Sequence, residues 1–272
     1  MNIIFFIAYI QFILFLDKWF VKVYNQIIII YVYIRGKAMK ILQKGFNFSQ
    51  DGPGNRLVYH LQGCNFRCKW CSNPESMNCE DENAKNYTVA ELFSEVKRSR
   101  MMFFDGGGVT FTGGECTLQH EELNELLKLL RAEGISTAIE TNASSPYLPE
   151  IAENVDYLIA DFKHYDTDAH KKWIGVGNEA VKANLERIFA SGRQIHIRIP
   201  VIKNINDNPQ GFVDYFKRFD TSSAVFEFLA YHEYGKDKWT QDYEIEDGFV
   251  SQETIESFRE LFTHNGMNVT KT

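Results

Sequence analysis

Residues 56–71 read RLVYHLQGCNFRCKWC, an apolar run of strand length followed directly by three closely spaced cysteines. Three and then two residues separate Cys64, Cys68 and Cys71. Thiolates this close in sequence can wrap one compact iron–sulfur cluster, whereas a structural zinc site needs four protein ligands. No histidine lies between the three cysteines or directly after them, and Cys79 is the candidate for a fourth zinc ligand. The stretch predicts a strand that delivers a metal centre at its C-terminal end, with a cluster favoured over zinc.

The rest of the chain alternates short apolar runs with longer amphipathic segments, which is typical of repeated strand and helix units. Six candidate strands can be counted, at 56–62, 109–112, 135–140, 156–161, 194–199 and 224–229. This alternation predicts an α/β fold with a parallel sheet, either curved into a full or partial barrel or lying open and doubly wound.

Two of the intervening helices carry clear end signals. Thr88 and Glu91 have the spacing of a capping box, and Gly134 follows a leucine-lined helical face. Periodicity predicts further helices at 179–190, 210–219 and 251–264, and a short one after Ser145.

Polar or cysteine residues follow each of the six candidate strands. They are the cysteine motif, Gly113-Gly114-Glu115, Glu140-Thr141-Asn142, Asp161 with Lys163, Arg198, and Tyr231 with His232. Functional groups gather at the C-terminal ends of the strands in a parallel barrel. Six such ends in register favour the barrel over the open sheet.

Composition limits the class of function. The 272 residues are 44% hydrophobic and carry a net charge of -7, so we expect one large folded domain and no nucleic-acid partner. Five cysteines, three of them clustered, do not form a secreted disulfide framework, which favours the cytoplasm. A monomer is compatible with this composition.

The first 38 residues differ from the rest. Their apolar stretches, 3–16 and 27–34, are shorter than a membrane span of roughly 20 residues and lack the features of a signal peptide. We therefore expect residues 1–38 to be a non-native upstream extension and residues 39–272 to be the functional domain. An interfacial membrane anchor is the alternative.

The cysteine motif combined with Gly113-Gly114-Glu115 resembles the radical S-adenosylmethionine (SAM) superfamily. More segments resemble the activating enzymes of glycyl radical enzymes, most closely those of pyruvate formate-lyase. They are residues 51–54, 63–74, 106–115, 140–142, 161–163 and 231–239. The resemblance spans about residues 40 to 270.

This resemblance implies a partial (β/α)6 TIM-like barrel that cleaves SAM reductively and abstracts a hydrogen from a glycine of a partner such as formate C-acetyltransferase. Flavodoxin or ferredoxin would donate the electron, and no side chain would be catalytic beyond the cluster and cofactor. Cys64, Cys68 and Cys71 would bind a 4Fe-4S cluster, and Asp51 would receive the glycine loop. The implied SAM contacts are Trp70, Ser72, Gly113, Gly114, Glu115, Asp161, Lys163, Arg198 and His232. Glu140, Thr141 and Asp161 match a monovalent cation site.

The chain also departs from the family pattern. Cys116, Ala143 and Glu140 stand where the family usually has alanine or proline, glycine, and aspartate, and the last change puts the cation site in doubt. Only Cys79 and Cys116 remain for further clusters, too few for the activators that carry a ferredoxin-like insertion.

Other interpretations stay open at this point. Several motifs also resemble the carboxydeazaguanine synthases, although residues 51–54 and 231–239 argue against them. A non-catalytic protein with a structural cluster or zinc is a further alternative. Lys163 could simply pair with Asp161 at the surface, and His232 could be an ordinary loop histidine.

Overall fold

A computed structural model describes residues 38–270, so most of the expected N-terminal extension lies outside the described residues. The strands are β1 (Ala38–Phe48), β2 (Asn55–Leu61), β3 (Lys85–Thr88), β4 (Gly108–Gly113), β5 (Thr137–Thr141), β6 (Tyr157–Asp161), β7 (Ile195–Val201), β8 (Ala224–Ala230) and β9 (Asn268–Val269). The α-helices are α1 (Val89–Arg98), α2 (His120–Ala132), α3 (Leu148–Ala152), α4 (Thr167–Ile174), α5 (Glu179–Ala190), α6 (Pro209–Phe216) and α7 (Gln252–His264).

All nine strands belong to one sheet with the order β3-β1-β2-β4-β5-β6-β7-β8-β9. The six predicted strands, β2 and β4 to β8, are neighbours and run parallel. Helices follow each of them, as the right-handed crossover between parallel strands requires. The predicted six-unit α/β barrel is confirmed. It is partial, because β3 and β9 form the two edges of the described sheet.

Three strands were not predicted. β1 pairs antiparallel with β2 and carries a register shift between Ile41 and Gln43, which interrupts its alternation of buried and exposed side chains. β3 pairs with the first residues of β1, and β9 adds two residues beside β8. Strands this short or irregular show no regular alternation of apolar and polar residues by which the sequence could predict them.

The helix ends explain small shifts in the predicted boundaries. Thr88 and Glu91 form the predicted capping box of α1. After α2, Gly134 adopts a φ of 65° and the amide of Ile135 donates to the Leu130 carbonyl at 3.0 Å. Ile135 therefore closes the helix, and β5 begins at Thr137 rather than at the predicted residue 135.

An aromatic layer packs the last two helices against β8. Phe216 of α6 lies 4.8 Å from Phe226, and Phe262 of α7 lies 4.8 Å from Phe228, measured between ring centroids. These rings are almost fully buried. Their packing fixes β8, and with it the position of the segment that follows at Tyr231.

Candidate cofactor site

A cavity of about 250 Å³ lies at the C-terminal ends of the six parallel strands. Residues from all six strand ends line it, as expected for a parallel barrel. The predicted site residues in its wall are Cys64, Cys68, Trp70, Cys71, Ser72, Gly113, Gly114, Glu140, Thr141, Asp161, Lys163 and His232. Three predicted residues, Asp51, Glu115 and Arg198, are not part of the wall.

Backbone hydrogen bonds hold the cysteine loop on two sides. The amide of Gly63 donates to the Ser76 carbonyl at 2.9 Å, which joins the start of the loop to its return. The amides of Arg67 and Lys69 donate at 2.8 and 3.0 Å to carbonyls at the end of α4. The loop is thus fixed by its own backbone, independently of the side chains that face the cavity.

The three cysteines are free thiols that face the same cavity. Burial raises the pKa of Cys64 to about 11 and that of Cys68 to about 12. The amides of Phe66 and Asn73 lie 3.4 Å from the sulfurs of Cys64 and Cys71 and favour their thiolate forms. A set of three thiols beside an open cavity fits a cluster with one iron left for another ligand.

The alternative of a closed zinc site finds less support in the geometry. Cys79 is exposed and is not part of the cavity wall. Within residues 38–270, no three His, Cys, Asp or Glu side chains form a group that could hold a metal ion. Three thiols around a cluster bind separate irons, whereas zinc needs its ligands around one point.

Two glycines at the end of β4 allow close contact with the cysteine loop. A Cβ at Gly114 would lie 2.2 Å from the carbonyl oxygen of Gly63, and Gly113 has a φ of 108°. The amide of Glu115 donates to the same Gly63 carbonyl at 2.8 Å. The backbone at this strand end is therefore in direct contact with the cluster loop, which only glycine permits.

Glu115 takes a different position from the one that the motif predicts. Its buried carboxylate accepts hydrogen bonds from the Thr141 hydroxyl at 2.7 Å and from the Asn142 amide at 2.6 Å. Burial raises the pKa of Glu115, although these bonds favour the charged form. The carboxylate lies behind the cavity wall and fixes the loop after β5.

Lys163 is a buried cation next to the thiols. Its ammonium lies 2.8 Å from the carboxylate of Asp161. Burial alone would lower the pKa of Lys163, but Asp161 and the thiols of Cys68 and Cys71 outweigh it, so the pKa is raised. The ion pair with Asp161 does form, but it is not a surface pair, because the lysine side chain is only 13% exposed.

His232 enters the wall from the segment after β8. Burial lowers its pKa below the usual value, so the ring is neutral at neutral pH and can both donate and accept a hydrogen bond. The ring stacks on Tyr234 with 4.2 Å between centroids.

The segment 231–239 packs on the cysteine loop, which the sequence did not predict. Trp239 donates from Nε1 to the Cys71 carbonyl at 3.0 Å. A Cβ at Gly235 would lie 2.3 Å from the Ser72 carbonyl oxygen.

The apolar side chains of Ile202 and Leu229 also line the cavity, which the sequence did not predict. Ile202 directly follows β7 and Leu229 is the second-last residue of β8, and this position at the strand ends was the available signal, but apolar residues there read as core.

A charged network lies at the side of the cavity near Glu140. The Oε2 atom of Glu140 accepts from the Thr112 hydroxyl at 2.9 Å, and its Oε1 atom pairs with Arg198. Arg198 also pairs with Glu227 at 2.7 Å and donates to the Gln50 carbonyl. Burial raises the pKa of Glu140, while the guanidinium opposes this shift. Arg198 therefore contacts a wall residue rather than the cavity itself.

Asp51 belongs to the loop between β1 and β2. Its carbonyl accepts from the Thr110 hydroxyl at 2.7 Å, and Arg56 donates to the Pro53 carbonyl at 3.2 Å. The Asn47 side-chain amide donates to the Asp51 carboxylate. These bonds hold the loop against the barrel strands, and the neighbouring Gln50 reaches Arg198.

This fold and this arrangement of cysteines define a known class of protein. The Radical SAM superfamily profile matches residues 58–216, from β2 to the end of α6. The chain belongs to the radical SAM superfamily, whose members use a 4Fe-4S cluster and SAM.

Its relatives narrow the class to activating enzymes of glycyl radical enzymes. The 4-hydroxyphenylacetate decarboxylase activating enzyme of Clostridioides difficile is 31% identical over 287 aligned positions, covering 80% of this chain and 90% of the relative. The pyruvate formate-lyase-activating enzyme of Clostridium pasteurianum is 35% identical, covering 72% of this chain and 85% of the relative. The (2S)-3-sulfopropanediol dehydratase activating enzyme of Klebsiella oxytoca is 28% identical over 80% of this chain and 92% of its own length.

Solved structures agree with this fold. A domain of pyruvate-formate lyase-activating enzyme from Bacteroides vulgatus matches with a TM-score of 0.52 and 28% identity, covering 61% of this chain and 98% of that domain. A radical SAM methyltransferase from Sphaerobacter thermophilus has a TM-score of 0.61 at 15% identity, over 83% of this chain and 67% of its own, which supports the fold alone.

Proposed function

We propose that this chain binds its cluster through Cys64, Cys68 and Cys71, cleaves SAM in the cavity beside them, and installs a glycyl radical on a partner enzyme. One observation carries the proposal: the three cysteines share a single cavity wall with Gly114, Lys163 and the other predicted contacts. When bound, the cluster and SAM supply a one-electron cleavage that generates a hydrogen-abstracting radical. The protein contributes binding, orientation and exclusion of water.

The charged residues of the wall suit the polar end of SAM. The ammonium of Lys163 can pair with the methionyl carboxylate, while the backbone of Gly113 and Gly114 in the same wall offers carbonyl oxygens to the methionyl amine. Asp161 keeps the lysine in place through their 2.8 Å ion pair. These groups would fix the sulfonium next to the open iron, where orientation matters most.

The other side of the cavity suits the adenosine. His232 can hydrogen-bond there, with Ser72 close by in the same wall. The Trp70 side chain is 8% exposed, and together with Ile202 and Leu229 it makes this part of the wall apolar. An apolar wall limits the entry of water to a site where a reactive species forms.

The partner is proposed to be a glycyl radical enzyme. A decarboxylase, a pyruvate formate-lyase and a dehydratase are the candidates, because the relatives are the activating enzymes of such proteins. The loop that carries Asp51 would receive the glycine segment.

A flavodoxin or ferredoxin would donate the electron to a monomeric enzyme in the cytoplasm. Within residues 38–270, no helix is long and apolar enough to cross a membrane.

Anaerobic reconstitution tests the proposed chemistry. The wild-type chain, loaded with iron and sulfide and given SAM and dithionite, should form 5'-deoxyadenosine. Cys68→Ser should abolish both the cluster absorbance and this product, because Cys68 is a buried wall residue. Cys79→Ser is the matched control and should retain both, since Cys79 is exposed and lies outside the wall.

The partner is tested separately by electron paramagnetic resonance. Purified members of the three candidate classes are each incubated with the loaded enzyme, SAM and reductant. A stable glycyl radical doublet with one of them supports the assignment. Formation of 5'-deoxyadenosine without a radical on any of them would refute the choice of partner class, while leaving the SAM chemistry in place.

A further inference from the structure

The polar groups predicted to bind a monovalent cation all have protein partners. Both oxygens of Glu140 are engaged, one with the Arg198 guanidinium and one with the Thr112 hydroxyl at 2.9 Å. Asp161 pairs with Lys163 at 2.8 Å, and the Thr141 hydroxyl donates to Glu115 at 2.7 Å. A metal cation at this place would have to share these carboxylates with the Arg198 guanidinium and the Lys163 ammonium, two fixed positive charges.

Arg198 is itself held firmly. Its Nε atom lies 2.7 Å from the carboxylate of Glu227, and its third nitrogen donates to the Gln50 carbonyl. The side chains of Arg198 and Glu227 are each 14% exposed, and that of Glu140 is 17% exposed. A guanidinium is permanently charged and its planar fork matches two carboxylates, so this cation cannot deprotonate or drift away.

A permanent cation already lies between two carboxylates here. Glu140 and Glu227 place two carboxylates around one guanidinium, and the His196 ring lies 3.1 Å from Glu227. A second, mobile cation beside Glu140 would meet the positive charge of Arg198 at short range in a poorly solvated place. Glu140 is one methylene longer than the aspartate that the resemblance implies here, and its carboxylate contacts the guanidinium directly.

We propose that Arg198 serves as a built-in cation beside Glu140, so that this chain binds and cleaves SAM without a monovalent metal cation. The proposal rests on the SAM cavity of the proposed function and deepens it. Arg198 acts as a positioning residue in this scheme, because it holds Glu140 in the cavity wall and does not line the cavity itself.

The first experiment compares salts on the wild-type chain. The dissociation constant of SAM and the rate of 5'-deoxyadenosine formation are measured in potassium, sodium and choline chloride at equal ionic strength. Choline is too bulky to bind as a metal does, so both quantities should agree within about twofold across the three salts. A tenfold or greater loss of SAM affinity in choline would overturn the proposal.

The second experiment removes the built-in cation. Arg198→Met leaves Glu140 and Glu227 without their shared countercharge, which creates a vacant cation site. Its SAM affinity should fall at least tenfold in choline and recover at least fivefold in potassium, with a matching rise in melting temperature. Arg187→Met, on the exposed side of α5, removes the same charge and should show neither effect. A variant equally weak in both salts would contradict the proposal.

Thallium-205 resonance gives a readout that needs neither activity nor the variant's stability. The SAM-bound wild-type chain should show no saturable thallium binding, whereas saturable binding that potassium displaces would refute the built-in cation. If the Met variant does not fold, the wild-type salt series and the thallium titration still decide. A wild-type chain that makes 5'-deoxyadenosine only in potassium would sink this inference alone. Absence of the product in every salt would refute the proposed function. The thallium titration would then still test whether the chain binds a monovalent cation.

Discussion

The contact between Gly114 and Gly63 joins two motifs across 51 positions of the chain. A methyl group at residue 114 would lie 2.2 Å from one carbonyl oxygen and 2.9 Å from another, both of them backbone atoms that cannot rotate away. The end of β4 can approach the cluster loop only because residue 114 has no side chain. Geometry of the cofactor site therefore depends on a contact between two backbones.

Gly114→Ala should push these two backbones apart. We expect the unfolding free energy to fall by about 1–3 kcal/mol, as for overpacking in a core, and SAM affinity to fall at least tenfold. Urea denaturation and a SAM titration measure the two effects. Gly45→Ala is the control, because nothing lies within 4 Å of a Cβ there. Equal effects of both substitutions would argue against the contact.

Glu227 gives a prediction about pH. Burial would raise its pKa, but His196 and Arg198 lower it to about 2, against 4.5 for an ordinary glutamate. A lowered pKa stabilises the fold above about pH 4.5, and this contribution is lost as the pH falls through 2. After a discount for solvent screening, Glu227→Gln should cost about 1–2 kcal/mol at pH 7.

Urea unfolding of the cluster-free chain between pH 7 and pH 3 measures this cost. The stability gap between wild type and Glu227→Gln should narrow as the pH falls below 4.5. Glu82→Gln, at an exposed position, should leave stability unchanged throughout. A gap that stays constant from pH 7 to pH 3 would contradict the role of the charged form.

Single residues differ in how well the sequence predicts them. Cys64, Cys68 and Cys71 were predictable because thiolates at fixed short spacing have few other uses. The positions of Glu115 and Arg198 were not, because a strand-end charge can face the cavity or a neighbouring loop, and only packing decides. Glu115 faces the loop after β5, and Arg198 faces Glu140 and Glu227.

Among the elements, α1 has the most complete local signal. The Thr88 hydroxyl accepts from the Glu91 amide at 3.2 Å, and the Glu91 carboxylate accepts from the Thr88 amide at 2.8 Å. This reciprocal pair satisfies donors that the first turn of a helix leaves free. Such a cap depends on nearby residues only, which is why the sequence predicts it.

Thr88→Ala should therefore destabilise the fold by about 1 kcal/mol, the usual cost of losing such a cap. Chemical denaturation measures this loss directly. Thr88→Ser retains the hydroxyl and should stay within a few tenths of a kcal/mol of wild type. A loss as large with serine as with alanine would mean that the methyl group, and not the cap, supplies the stability.

The strands differ in how well their own sequence pattern predicts them. Among the parallel strands, β2, β4 and β5 have no exposed side chains and read as apolar runs, whereas β8 alternates between buried and more exposed ones. β1 loses its alternation after Ile41, where the register shifts and the side chains become exposed. A strand of this kind is defined by its partner β2 rather than by its own pattern.

At the scale of the whole molecule, the fold needs the chain from about Met39 onward. Met39 and Ile41 of β1 are 0% and 2% exposed, and both face the core. Ahead of them, only Ala38 of the described residues adds a pairing, opposite Thr88. We propose that the radical SAM domain begins at about Met39.

A chain that begins at Met39 should therefore keep its melting temperature within about 2 °C and form 5'-deoxyadenosine at the full-length rate. A chain that begins at Gln43 is the comparison, because it loses both buried side chains and the pairing of β1 with β3. It should be markedly less stable or insoluble. Loss of activity in the first chain would mean that residues 1–38 contribute to function.

The short return from the cysteine loop to β3 makes this barrel modular. Residues 78–80, 82 and 83 are exposed. The Cys64 amide donates to the Met77 carbonyl at 3.3 Å, so the backbone before these exposed residues is already fixed. The alignment with the Clostridioides difficile relative spans 287 positions, more than the 272 residues of this chain, so the relative contains extra segments. Exposed loops tolerate inserted domains when the flanking backbone is fixed independently. We therefore expect this return to accept an inserted segment beside the cluster, such as an electron-carrying domain or an engineered reporter, while the barrel strands stay unchanged.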